Sequence, residues 1–79
     1  MAKLDYKLPV YTAMIDELLA RHDITRDSIT EGWQAWKVAD MAGVTRDAYE
    51  ISRDICDAHI QTVLEKILPN TVFKDAKRY

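Results

Sequence analysis

From residue 45 to residue 68 the chain contains no Gly or Pro, and Gly43 and Pro69 punctuate the run at either end. At about 100° per residue, Val44, Ala48, Tyr49, Ile51, Ile55, Cys56, His59, Ile60, Val63 and Ile67 gather on one broad arc. Asp47, Glu50, Asp54, Asp57, Gln61 and Glu65 gather on the other, so the pattern predicts a single amphipathic helix of about 35 Å. A second periodic stretch follows Pro9, a residue suited to a first helical turn. Tyr11, Met14, Ile15, Leu18, Leu19 and His22 form its apolar face, predicting a helix from Pro9 to His22.

A short echo sets the remaining boundaries: Ile24-Thr25-Arg26-Asp27 recurs as Val44-Thr45-Arg46-Asp47. Each copy offers a Thr as N-cap and an Asp in the first turn, where a carboxylate meets free N–H groups and the positive end of the helix dipole. The echo reads as shared start-of-helix chemistry and predicts a middle helix from Thr25 to Ala42, closed by Gly43 as a left-handed cap. Ile29, Trp33, Trp36 and Ala39 adjoin Ala35, Val38 and Ala42 on that helix, so more than half of its circumference is apolar. A helix of this kind is sandwiched between neighbours. Gly32 inside it marks a close crossing or a kink beside the tryptophans.

The expected fold is therefore all-α: a three-helix bundle in one domain, residues 1–79, with an N-terminal arm (1–8), three helices (9–68, the last about 45–68) and a tail (69–79). In the tail, Phe73 is expected to rest on the bundle. A chain of 79 residues buries only a marginal core, and the apolar arc of the long helix is wider than so small a domain can cover. A homodimer is the expected remedy, and Leu64, just outside the arc on a polar side, is a candidate contact.

The segment Val38-Ala39-Asp40-Met41-Ala42-Gly43-Val44-Thr45 resembles a bacterial helix-turn-helix, the likeness extending from Ala39 to Arg53. What the resemblance implies is a tight turn that lets the second helix lie in a major groove, with Thr45, Arg46 and Arg53 toward the DNA. Asp47, Glu50, Asp54 and Asp57 outnumber the two arginines on that helix, and the chain carries a formal net charge of -2. Both oppose phosphate contact and place DNA binding second.

Other chemistry finds little footing. Cys56 and His59 stand at a helical spacing that could reach one metal, but two ligands do not complete a zinc site, and both belong to the apolar arc. His22 with Asp23, and Asp54 and Asp57 with His59, are the nearest approaches to an acid–base pair. No nucleophile has a base at a recognisable spacing, and two glycines cannot build a phosphate loop. No metal, cofactor or catalytic residue is expected. A lone cysteine and the lack of a signal-like or spanning apolar run suggest a cytosolic setting. The function expected is a non-enzymatic protein-interaction module that regulates or inhibits a larger partner. Its contact residues are Trp33, Trp36, Glu50, Asp54, Asp57 and Leu64. A helix-turn-helix regulator and an oligomer-forming structural subunit are the alternatives. Asp40, inside the Trp-bearing arc near an unfavourable helix end, is expected at an exposed edge or bonded to an indole or an arginine.

Overall fold

The structure, a computed structural model, describes residues 4–51 and 57–73. Among them are four α-helices and no named strand: α1 (Leu8–Arg21), α2 (Gly32–Ala42), α3 (Val44–Ile51) and α4 (Asp57–Ile67). Short 3-10 turns at Asp5–Lys7 and Arg26–Ser28 precede α1 and α2. The protein is all-α.

Helix α1 follows the apolar period directly. Tyr11, Ile15 and Leu19, spaced by four, are its buried residues, and they meet the buried Ala35, Trp36, Val38 and Ala39 of α2. Helix α2 packs against both α1 and α3, which are also in contact with each other. Trp36 is the largest fully buried side chain. Leu4 is fully buried as well, so the segment before Pro9 contributes to the core rather than forming a free arm.

The middle helix begins later than the echo predicts. Arg26–Ser28 closes only a 3-10 turn, and α2 starts at Gly32. Between them the chain is held from a distance. The Val72 N–H donates to the Thr30 carbonyl at 3.0 Å, and the Thr71 hydroxyl donates to the Ile29 carbonyl at 3.0 Å. Glu31 and Val72 form an isolated parallel bridge. Gln34 Oε1 then accepts the N–H groups of both Thr30 and Glu31, one half of a capping box that fixes where α2 begins. Gly32 marks a close approach, but to the chain that follows α4: a Cβ there would come within 3.2 Å of Phe73 Cδ1. Phe73 itself lies against the core, as expected of it.

The centre of the predicted long helix, residues 52–56, lies outside the described residues, Arg53, Asp54, Ile55 and Cys56 with it. Its two ends bury different faces. Helix α3 buries Val44, Thr45 and Ala48, whereas α4 buries Ile60, Val63, Leu64 and Ile67. On one straight helix those faces would point about 100° apart, which is why a single projection leaves Leu64 outside the arc. Leu64 is in fact fully buried. Thr45 is likewise not an exposed cap: Asp47 N–H bonds to the Gly43 carbonyl, so Gly43 opens α3 and also closes α2 at a φ of 88°. The Thr45 hydroxyl donates to Asp40 Oδ1 at 2.5 Å, one of the contacts that Asp40 makes.

A polar clasp joins α1 to α3. The Tyr11 hydroxyl donates to Asp47 Oδ2 at 2.6 Å, and Lys7 Nζ lies 3.4 Å from the same oxygen. Burial raises the Tyr11 phenol well above its ordinary value, and the bond to Asp47 and the carboxylate's charge push the same way. In the unfolded chain the phenol loses its proton near pH 10, while the folded chain keeps it. This contribution to stability is full below about pH 10 and falls above it, by up to about 1.4 kcal/mol per pH unit. Urea melts of wild type and Tyr11→Phe across that range should show a shallower alkaline decline for the variant. Identical slopes would contradict the clasp.

Candidate protein-docking furrow

The route from α1 to α2 shapes a furrow on the surface of the described residues. Helix α1 ends in a Schellman motif: Ile24 N–H reaches the Leu19 carbonyl at 2.9 Å, and Asp23 N–H reaches that of Ala20 at 3.2 Å. Asp23 takes the left-handed conformation, φ 55°, one that Asp tolerates better than most residues. The reversal brings Ile24 beside Leu18 and Leu19, across from Trp33 on α2.

Between α1 and α2 lies a furrow of two neighbouring hollows that share Leu18 and Met41, a mainly apolar one of about 310 Å³ and a smaller, mainly polar one of about 200 Å³. Buried Leu19, Ile29 and Val38 form its floor. Its rims carry Ile24, Trp33 and Met41, which remain 39%, 47% and 54% exposed. Large apolar groups that stay half in water and share one depression are the usual mark of a contact surface. The Trp33 indole N–H donates to Glu31 Oε2 at 2.5 Å, so the ring is held in place with its faces free to be covered.

The other expected contact residues lie elsewhere. Trp36, at helical spacing from Trp33, is fully buried, and so is Leu64; neither is available on the surface, because both belong to the hydrophobic core. Asp57 is half-buried and accepts the Tyr49 hydroxyl, tying α4 to α3. Glu50 is exposed and lies 3.5 Å from Arg46 in an i,i+4 pair. Asp54 is outside the described residues. Much of the supposed acidic face is thus engaged within the chain: Asp47 serves the Tyr11 clasp and Asp57 the junction of α3 with α4. Of the residues the helix-turn-helix likeness points to, Arg46 is exposed, Arg53 is not described, and Thr45 is only 5% exposed and bonded to Asp40.

The chain matches no known protein family, and it has no significant similarity to a characterised protein or to a solved structure.

Among the described residues no group of three His, Cys, Asp or Glu side chains is placed to hold a metal ion, and His22, exposed at the end of α1, lines the furrow. His59 is half-buried, with Nδ1 lacking a hydrogen-bond partner. No described helix is long and apolar enough to cross a membrane. Leu18, Ile24, Val38 and Met41 were not singled out as contacts by their sequence positions. The available signal was Asp23-Ile24, a left-handed-tolerant residue followed by an apolar one directly after a helix.

Proposed function

We propose that this chain is a small, non-enzymatic protein-interaction module that regulates or inhibits a larger partner in the cytosol, and that the furrow between α1 and α2 is its contact surface. The observation that carries this reading is the half-exposure of Ile24, Trp33 and Met41 around one apolar depression whose floor is the protein's own core. Aromatic and methionine side chains dominate the centres of protein interfaces, and Trp33 arrives already oriented by Glu31. In this reading the protein also forms a homodimer, for which the exposed apolar side chains of Tyr49 and Ile51 on α3 are candidate contacts.

A DNA-binding regulator is the second reading, favoured by the tight junction at Gly43, which joins α2 to α3 with no other residue between them. The two differ in their response to salt. A DNA complex loses affinity steeply as salt rises, since each phosphate contact releases counterions, whereas an apolar contact does not. Titrations against random duplex DNA and against the partner recovered by affinity capture, at low and physiological salt, should show binding only to the protein, with little salt dependence. Tight DNA binding that weakens in Arg46→Ala would reverse the ranking. Sedimentation of the protein alone should give the mass of two chains at micromolar concentration, and a monomer there would remove the dimer from the proposal.

A further inference from the structure

We propose that residues 70–73 are a releasable strap which, while docked, stops α2 from extending backward and holds Trp33 in its displayed position. On release the chain from Ile29 to Glu31 joins α2, and the Trp33 indole loses its partner. This exchange belongs to the free protein and does not depend on what the furrow binds.

The docked state is a run of contacts in register. Asn70 Nδ2 donates to Asp27 Oδ1 at 2.9 Å. The Thr71 hydroxyl donates to the Ile29 carbonyl and the Val72 N–H to the Thr30 carbonyl, each at 3.0 Å, and Phe73 lies against Gly32. Ile29 and Glu31 are thereby kept extended, with φ and ψ of -89° and 100° at Ile29 and -116° and 145° at Glu31. Glu31 Oε2, so placed, accepts the Trp33 indole N–H at 2.5 Å.

The competing arrangement uses the same groups. If α2 continued backward, the Ile29 and Thr30 carbonyls would be the acceptors for the Trp33 and Gln34 N–H groups, and the apolar period already joins Ile29 to Trp33 and Trp36. Glu31 cannot be extended and helical at once, so the two arrangements exclude each other. On a continuous helix Glu31 and Trp33, two residues apart, point about 200° away from one another, which breaks the bond to the indole. Gly32 weights the balance toward the docked strap: a glycine inside the longer helix disfavours it, and the missing Cβ leaves room for Phe73.

Release exposes little. Leu68 is fully buried and fixes the near end of the strap, and the Thr71 N–H closes a turn onto the Leu68 carbonyl at 3.1 Å. Past Leu68, Asn70 and Val72 are exposed and Thr71 and Phe73 are half-buried. A segment held by a few hydrogen bonds and so little apolar surface opens locally, without global unfolding.

The test is NMR of the isotope-labelled full chain as wild type, Thr71→Val/Phe73→Ala and Gly32→Ala, with Glu31→Ala as the reference for a released indole. In the double variant the Cα shifts of Ile29, Thr30 and Glu31 should move to helical values, and the Trp33 indole N–H should move to its position in Glu31→Ala. The Trp36 indole, buried in the core, should stay where it is. Gly32→Ala favours helix and sets a Cβ 3.2 Å from Phe73 Cδ1, so it should move the same resonances in the same direction. Residues 29–31 that remain extended or take random-coil shifts in the double variant, a Trp33 indole that does not move, or a Gly32→Ala spectrum unchanged at these positions would overturn the proposal. Both indoles moving together, or loss of the fold in the double variant, would overturn it as well, since the strap would then be part of the core.

Discussion

Trp36→Ala is expected to remove most of the protein's stability. The side chain is fully buried in the core, and truncating a buried aromatic costs about 3–5 kcal/mol through lost transfer energy and the cavity left behind. A domain of this length has about 4–12 kcal/mol in total at the usual per-residue stability. Urea unfolding followed by circular dichroism should show the midpoint collapsing toward zero denaturant, with Trp36→Phe recovering a large part of the loss. A midpoint within experimental error of wild type would mean that α2 is not the centre of the core.

Trp33→Ala/Met41→Ala should do the opposite: leave the fold alone and remove binding. Both side chains are about half exposed, and alanine is the strongest helix former, so the melting temperature should stay within a few degrees of wild type. A hot-spot truncation costs about 2 kcal/mol or more, so if even one of the two is a hot spot affinity for the partner should fall at least about 30-fold. Calorimetric titration of the captured partner checks this. Unchanged affinity in a well-folded double variant would displace the contact surface from the furrow, whereas a variant that melts early would show that Trp33 and Met41 support the fold.

The contrast between Trp33 and Trp36 shows where sequence reading succeeds and where it stops. The bounds of α1 and the cap at Gly43 are local matters of period and backbone conformation, and each is legible from the residues themselves. The start of α2 is not, because Ile29, Thr30 and Glu31 are kept extended by Thr71 and Val72, partners some forty residues away. Leu64 reads as a surface residue only while α3 and α4 are projected as one helix, and its burial follows from α4 turning a different face inward. Two tryptophans three residues apart look equivalent in the sequence. Only the placement of α1 on one side of α2, and the reversal at Asp23 that sets Ile24 opposite Trp33, separates the buried one from the displayed one.

The central claim, that the furrow is where this protein meets its partner, is tested most directly by position-specific photo-crosslinking in cells. A photoreactive amino acid replaces Met41 in one variant and Glu65, an exposed residue of α4 outside the furrow, in another. The account predicts one discrete adduct from position 41, heavier than two copies of the chain, abolished by adding Leu18→Glu and absent from position 65. Adducts of equal yield from both positions, or an adduct at position 41 that survives Leu18→Glu, would contradict it.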